Sequence, residues 1–136
     1  MKLDWVTGVI EGEDIIHTVR TLADVAGIFA ESGNPSQVIY ETYSMPEPAG
    51  APDLLLATTI IHPGRVGQEA PMTRGHFHTN PERGETCLTL RGSGALLLRD
   101  REGNNVQIPM SPGALHVIDG RFAHRVANVG DEPLVF

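Results

Sequence analysis

The sequence has only one cysteine and no long hydrophobic stretch. Because Cys87 has no second cysteine to pair with, the chain cannot form an internal disulfide, and a reducing compartment suits it. No apolar run approaches the ~20 residues that span a bilayer, and the opening MKLDWVTG lacks the apolar core of a secretory signal. We therefore expect a soluble, cytoplasmic protein that does not bind membranes.

Clusters of basic residues are also missing. The Lys and Arg residues, 10 in total, are dispersed along a chain whose formal net charge is −7. Such a chain has no electrostatic surface for nucleic acid or anionic lipid, so a small ligand is the better expectation. If that ligand is an anion, a metal ion or oriented backbone amides have to offset the acidity locally.

What the sequence does contain is a series of short β-branched or aliphatic segments, separated by turns rich in Gly, Pro and Asn. This pattern predicts an antiparallel all-β domain. The predicted strands cover residues 37–43, 54–61, 86–90, 94–99, 106–110, 114–119, 124–128 and 133–136. Together they indicate one domain built as a double-sheet barrel over residues 1–136. Residues 1–50 would supply N-terminal strands and a short helix, and residues 51–136 the metal-binding barrel core.

Local patterns predict one helix and several loops. Residues 22–31 have apolar residues on one helical face, and Thr21 with Asp24 is similar to a capping box. The segments 101–105 and 111–113 are predicted to be hairpin loops, and residues 45–53, with three prolines, a surface loop. The strand at 94–99 is expected to be buried on both faces because residues 95–98 are all apolar.

The residues with the most informative chemistry are in one motif, His76-Phe77-His78. If this motif lies on a strand, the two imidazoles point to one side and Phe77 to the other. A turn at residues 80–84 would return Glu85 to the histidines, and His124 on a later strand could reach the same cavity. Three imidazoles and one carboxylate suit iron, manganese, nickel, zinc or cobalt, because no thiolate imposes a structural zinc site.

Two histidines separated by one residue would, by themselves, be interpreted as surface or core residues. Together with Glu85 and His124 they favour a metal site instead. The other histidines are interpreted differently. His17 is expected to be a solvated or packing residue, whereas His62 and His116 could line the cavity and stay unassigned.

The spacing of these residues resembles the two conserved motifs of the cupin superfamily. The His-x-His motif is followed after six residues by Glu85 and after six more by Gly92, and His124 has Asn128 four positions on. Further segments, TRGHFH at 73–78, VIYE at 38–41, PGRVG at 63–67 and NVGDEP at 128–133, are similar to the cupin-type glucose-6-phosphate isomerases found chiefly in archaea. This resemblance implies a cupin double-stranded β-helix, or jelly-roll, barrel.

The resemblance also implies ligands and a function. One divalent transition metal, with Fe²⁺ favoured over Mn²⁺, Ni²⁺ and Zn²⁺, would be held by His76, His78, Glu85 and His124. The substrate phosphate would lie near Tyr40, Thr59, Thr73 and Gly75. Glu85 would also act in catalysis, the interconversion of glucose 6-phosphate and fructose 6-phosphate in glycolysis and gluconeogenesis. Cupin barrels commonly dimerise, so a homodimer is expected.

Several alternatives are open on the sequence alone. Glu85 could act as the base of a cis-enediol route, whereas a metal-assisted hydride shift needs no base. The same ligands could serve a metal-dependent cupin oxygenase, a non-catalytic sugar-phosphate-binding cupin, or a structural barrel that binds adventitious metal. Two features depart from the family: Cys87 stands where an aromatic residue is usual, and the sequence stops at Phe136 where family members usually continue.

Overall fold

The short apolar segments form antiparallel strands in the computed structural model, which describes residues 1–46 and 54–136. In chain order the elements are β1 (Lys2–Leu3), β2 (Ile10–Glu11), β3 (Ile16–Thr21), α1 (Leu22–Val25), β4 (Val38–Ser44), β5 (Ala57–Ile61), β6 (Glu85–Leu88), β7 (Gly94–Arg99), β8 (Asn105–Met110), β9 (Leu115–Ile118), β10 (Ala123–Asn128) and β11 (Leu134–Val135). The all-β prediction is confirmed. Most of the loop predicted at 45–53 lies outside the described residues.

The strands form three larger sheets and one small N-terminal ribbon. The strand orders are β11-β5-β4-β3, β10-β7-β8 and β6-β9, with β1-β2 as the ribbon. A bridge between Arg91 and Val135 connects the residues after β6 to β11. Another bridge, between His76 and His124, joins the segment before β6 to the free side of β10. Two histidine-bearing parts of the chain are thereby paired directly.

The three larger sheets share one hydrophobic core. Its buried side chains come from strands of every one of these sheets and contact one another: Ile61, Cys87, Leu96, Met110, Ile118, Val126 and Leu134. Burying an aliphatic side chain of this size contributes about 1.5–3 kcal/mol relative to leaving it exposed. A separate cluster of Leu22, Val25, Phe29, Ile39 and Val66 packs α1 against β4. Packing therefore joins sheets that few backbone hydrogen bonds connect.

Asn128, at the end of β10, is a buried polar residue with both ends of its amide in use. It is 2% exposed, and its Nδ2 donates to the carbonyls of Ile61 and Glu132, both at 2.9 Å. Its Oδ1 accepts a hydrogen bond from the N–H of Gly130 at 2.9 Å. These bonds join β10 to β5 and close the turn that leads to β11. Their loss would leave buried polar groups unpaired, at a cost of about 1–3 kcal/mol.

The helix is shorter than the predicted 22–31. It ends at Val25 and continues only as one 3₁₀ turn, Ala26–Ile28, after which Phe29 has extended backbone angles. Gly27 lies in this turn, and glycine is a poor helix former. The predicted start is confirmed: Oδ2 of Asp24 accepts hydrogen bonds from the N–H and the hydroxyl of Thr21, both at 2.8 Å. Of the predicted apolar face, Leu22, Val25 and Phe29 are buried, whereas Ala26 is exposed.

All the predicted strands exist, but one loop was assigned the wrong connection. The turn near residues 101–105 joins the paired strands β7 and β8, so it is a hairpin as predicted. The turn at 111–113 is not a hairpin, because β8 pairs with β7 whereas β9 pairs with β6. Burial of β7 on both faces holds fully for Ala95 and Leu96, while Leu97 and Leu98 are half-buried. Within the described residues, no helix has the length and apolar character needed to cross a bilayer.

Candidate metal centre

The segment that carries His76 and His78 does not form a regular strand. It pairs with β10 through isolated bridges at Met72 and His76. At the second bridge the N–H of His76 donates to the carbonyl of His124 at 3.3 Å, and the reverse bond is 3.1 Å. The chain then enters a turn in which Asn80 accepts hydrogen bonds from the backbone of Glu82 and Arg83, at 3.0 and 3.2 Å. The alternation of side chains nevertheless leaves the His76 and His78 rings stacked, with centroids 5.8 Å apart.

The structure brings Glu85 and His124 to the same place. Glu85 is the first residue of β6, and its Oε2 lies 3.5 Å from Nε2 of His78 and 3.4 Å from Nε2 of His124. One ring nitrogen from each of His76, His78 and His124 lies within 4.8 Å of the others. These three histidines could therefore hold a metal ion, and the carboxylate of Glu85 lies beside them. All four predicted ligands are thus gathered, although they come from distant parts of the chain.

The environment of these groups favours metal binding over proton binding. Burial, followed by the neighbouring His124, keeps the pKa of His76 below its ordinary value. The His124 ring lowers the pKa of Glu85 more than burial raises it, so the carboxylate is ionised at neutral pH. Nδ1 of His78 donates to the carbonyl of Arg83 at 2.6 Å, because a carbonyl can only accept. This bond leaves Nε2 directed to the side of Glu85. Metal-bound histidines commonly donate their other ring N–H to a backbone carbonyl in the same way.

A cavity of about 300 Å³ opens beside the centre. Its wall includes His76, Glu85 and His124, together with three of the predicted phosphate-binding residues, Tyr40, Thr59 and Thr73. Gly75, the fourth, does not line this cavity. An ideal Cβ at Gly75 would lie 3.0 Å from Nε of Arg125, so glycine there allows the backbone to pass close to that side chain.

Two polar residues of the cavity wall were missed by the sequence reasoning. Arg74 lines the cavity between Thr73 and Gly75 in the chain, and Thr42 lines it from β4. A signal for Arg74 existed, because it is a cation inside the TRGHFH run. In an acidic sequence with dispersed basic residues, however, a single arginine does not stand out from the others. Thr42 could have been found from strand periodicity, since it lies two residues after Tyr40.

Cys87 also lines the cavity, on β6. Burial, with a smaller contribution from Glu85, raises the pKa of its thiol to about 12. In the absence of a metal ion the sulfur is therefore protonated at neutral pH. The donors offered to an ion here are imidazole nitrogens and carboxylate oxygens.

The remaining histidines lie outside the centre. His17 and His62 each hydrogen-bond a different carboxylate oxygen of Glu41, both at 2.7 Å, and His17 also stacks on Tyr43. The packing interpretation of His17 agrees with these contacts. Glu41 is on the face of β4 opposite to the cavity residue Tyr40. His116 pairs with Cys87 across β6 and β9, but it is not a cavity-wall residue. Neither unassigned histidine therefore lines this cavity.

The arrangement of the strands fits the predicted cupin fold. The solved structure of the capsular polysaccharide assembling protein CapF from Staphylococcus aureus aligns with a TM-score of 0.55 at 18% identity, over 71% of this chain and 26% of that one. At this identity the likeness concerns the fold alone.

Sequence comparison is more specific. The family model described as glucose-6-phosphate isomerase (GPI) matches residues 19–136. Proteins named glucose-6-phosphate isomerase from Pyrococcus furiosus and Thermococcus litoralis are 38% and 39% identical over 143 and 145 aligned residues. The alignments cover 100% of this chain and 75% and 74% of those proteins. The chain belongs to the glucose-6-phosphate isomerase family, which confirms the resemblance found in the sequence.

Proposed function

We propose that this chain is a metal-dependent isomerase that interconverts glucose 6-phosphate and fructose 6-phosphate. Its family membership supports the reaction. The observation that carries the proposal is the composition of one cavity, whose wall combines Glu85 and His124 with Thr59, Thr73 and Arg74. A carboxylate and metal-type donors in the same wall as anion-binding residues suit a sugar phosphate.

The donor set fits a divalent transition metal. We propose that His76, His78, Glu85 and His124 hold the ion, because borderline imidazole and carboxylate ligands suit Fe²⁺, Mn²⁺, Ni²⁺ and Zn²⁺. The neutral Cys87 thiol leaves this set unchanged. Fe²⁺ is the proposed ion. When bound, it would supply positive charge that stabilises negative charge on the two adjacent sugar oxygens during the reaction.

Residues of the wall can orient the phosphate. The hydroxyl oxygen of Thr73 accepts a hydrogen bond from the N–H of Val126 at 3.0 Å, so its own proton is free to donate to an anion. Thr59 is held by two backbone bonds to Phe136, at 2.8 and 3.1 Å. Arg74 supplies a fixed positive charge, and charge-assisted hydrogen bonds are about twice as strong as neutral ones. Tyr40 adds a phenol to the same wall. We propose that these groups bind the phosphate.

Glu85 is proposed as the group that moves a proton between C1 and C2 of the sugar. It is ionised at neutral pH, and it lies in the cavity wall where the substrate would bind. The alternative is a direct hydride shift between the two carbons. Reaction in D₂O separates these routes: we expect deuterium in the product, and complete retention of the substrate hydrogen would contradict the role of Glu85 as the base.

The direct test is an isomerase assay on metal-free and reloaded protein. The protein is treated with a chelator, then reloaded separately with Fe²⁺, Mn²⁺, Ni²⁺ or Zn²⁺, and the conversion of fructose 6-phosphate to glucose 6-phosphate is measured. We expect no rate without metal and a rate with at least one ion. Saturable sugar-phosphate binding without turnover would instead support a non-catalytic binding protein, and turnover that requires O₂ would support an oxygenase.

The remaining expectations concern partners and location. A phosphorylated hexose is the proposed substrate, and nucleic acid and membranes are not expected as partners. The homodimer and the cytoplasmic location remain predictions. Light scattering of the metal-loaded protein measures the first, and cell fractionation measures the second.

A further inference from the structure

The segment that carries His76 and His78 has little regular structure to hold it. It pairs with β10 through bridges at Met72 and His76, whereas Phe77 and His78 lie outside any strand. The His78 ring is fixed by its Nδ1 bond to the carbonyl of Arg83 at 2.6 Å. The carbonyl of His76 is bonded to the N–H of His124 at 3.1 Å, so the backbone bonds of Phe77 itself lie between the two held parts. A rotation there would turn the two imidazoles away from a common point.

Phe77 is the side chain that projects from the other side of this segment. Its neighbours His76 and His78 both point to the metal centre, so alternation along extended backbone places the Phe77 ring opposite to them. The ring is 39% exposed, which is too much for core packing to fix it. It lies instead against the guanidinium of Arg101, whose Cζ is 4.7 Å from the ring centroid. This distance is within the range of a cation–π interaction.

Arg101 belongs to a well-ordered turn between β7 and β8. The N–H of Asp100 donates to the carbonyl of Asn104 at 3.1 Å. The Asp100 carboxylate accepts hydrogen bonds from the backbone and side-chain N–H groups of Asn104, at 2.8 and 2.7 Å. Strand β7 also pairs with β10, with Leu98 directly opposite His124. The same hairpin therefore supports His124 through strand pairing and contacts the His76-His78 segment through Phe77.

We propose that Arg101 is a positioning residue of the metal centre. Its guanidinium holds the ring of Phe77, and through this ring it keeps the imidazoles of His76 and His78 directed to one point. The proposal deepens, and rests on, the proposed metal-dependent function. Because the contact is exposed, its loss should weaken metal binding by about two- to fivefold rather than abolish it.

The test measures Co²⁺ binding to the full chain. The dissociation constant is obtained by competition with a chelating indicator, and the visible absorption of bound Co²⁺ reports the geometry of the ligands. For Arg101→Ala we expect a two- to fivefold higher dissociation constant and a changed absorption band. Arg101→Lys keeps a cation over the ring and should restore both. Arg99 lines the same surface cavity as Phe77 and Arg101. Arg99→Ala is therefore the matched control, since it removes the same charge nearby and should leave both unchanged.

A double-mutant cycle tests whether Arg101 acts through the ring. In a Phe77→Leu background, Arg101→Ala should have no further effect on the Co²⁺ dissociation constant. The same loss in that background would overturn the proposal. An unchanged dissociation constant and spectrum for Arg101→Ala would also overturn it, including when the melting temperature of the metal-free protein falls, because Arg101 would then have a purely structural role.

The outcome for Arg101 can be separated from the outcome for the proposed function. If the wild-type protein isomerises fructose 6-phosphate but its Co²⁺ affinity does not depend on Arg101, the positioning role is wrong and the function stands. If Co²⁺ affinity depends on Arg101 and Phe77 as described but no metal supports isomerisation, the positioning role stands and the function is wrong. Absence of Co²⁺ binding to the wild-type protein would overturn the positioning role, and the assay on protein reloaded with the other ions would decide the function.

Discussion

Two carboxylates in this chain each lie between two imidazoles, and the two groups differ in geometry. On the outer face of β4, the oxygens of Glu41 are each 2.7 Å from Nε2 of His17 or His62. At the candidate metal centre, Oε2 of Glu85 is 3.4 Å from Nε2 of His124 and 3.5 Å from Nε2 of His78. A charge-assisted hydrogen bond between nitrogen and oxygen is usually about 2.7–2.9 Å long.

The difference indicates which carboxylate is available for an ion. Glu41 and its histidines already use one another as hydrogen-bond partners at ordinary lengths. The contacts of Glu85 are too long for strong hydrogen bonds, and a third imidazole, that of His76, faces the same place. The two groups contain the same types of residue, so composition alone does not distinguish them. The spacing of their atoms separates a structural cluster from a candidate metal site.

The largest expected effect comes from exchanging each carboxylate for an amide. Glu85→Gln should lower kcat of the metal-loaded enzyme by about 10²- to 10⁴-fold, the usual contribution of a general acid–base group. Glu41→Gln is the matched control and should leave kcat unchanged, because Glu41 lies outside the cavity. The measurement is the rate of conversion of fructose 6-phosphate to glucose 6-phosphate. Equal losses in both variants would remove the distinction between the two groups.

The second effect concerns metal affinity. His124→Gln removes a proposed ligand that is 8% exposed, whereas His62→Gln removes a partner of Glu41. Loss of a hydrogen-bond partner behind a metal ligand costs about 10- to 100-fold in affinity, and loss of the ligand itself should cost more. His62→Gln should leave the affinity unchanged. Competition with a metal-binding indicator measures both, and tight binding by the His124 variant would contradict the four-residue site.

The third effect concerns substrate binding. It tests whether an anion-binding group shares the cavity with Glu85, which Glu41 does not line. Arg74→Ala should raise KM for fructose 6-phosphate about tenfold, because hydrogen bonds to charged groups contribute about 1.5–3 kcal/mol. Arg74→Lys should recover part of this loss. The exposed Arg20 provides a control, since Arg20→Ala removes the same charge outside the cavity. An unchanged KM for Arg74→Ala would place the phosphate elsewhere.

The smallest effect is on stability. Burial raises the pKa of Glu41, but the hydrogen bonds from His62 and His17 lower it overall below its ordinary value of 4.5. A carboxyl group with a lowered folded-state pKa stabilises the fold above its ordinary pKa, and this contribution is lost as pH falls through the lowered value. Glu41→Gln should therefore destabilise the protein by about 0.5–1 kcal/mol at pH 7.

Urea unfolding as a function of pH measures this contribution. The difference between the wild-type protein and Glu41→Gln should be fully present at pH 7 and should shrink below pH ~4, where both the folded and unfolded carboxyl groups become protonated. A difference that stays constant over this range would mean that the ionised carboxylate is not responsible.

The relative positions of His76, His78 and Glu85 were expected from sequence spacing, whereas His124 joined the set mainly through the family resemblance. The i, i+2 alternation predicted that His76 and His78 face one side, and the turn before Glu85 predicted its return. Both geometric expectations agree with the structure, although the regular strand does not. Strand alternation needs only locally extended backbone, whereas a regular strand also needs a partner along its length. Here Asn80 starts a turn soon after the bridge at His76.

Features that depend on distant contacts were harder to predict. The length of α1 depends on Gly27 and on the packing of Phe29 with Leu22. The turn at 111–113 has the composition of a hairpin loop, but which strands it joins is decided by partners elsewhere in the chain. Arg74 is a single cation in an acidic protein, and only the folded cavity distinguishes it from the other arginines.

Asn128 has a consequence for the order of events during synthesis. Its amide joins the end of β10 to Ile61, 67 positions earlier in the chain, and to the turn that precedes β11. His124 lies on the strand that this residue anchors, whereas His76, His78 and Glu85 are made much earlier. A nascent chain on the ribosome therefore has no complete donor set until residues near 128 have emerged and docked. Metal capture would then report that β10 has docked against β5.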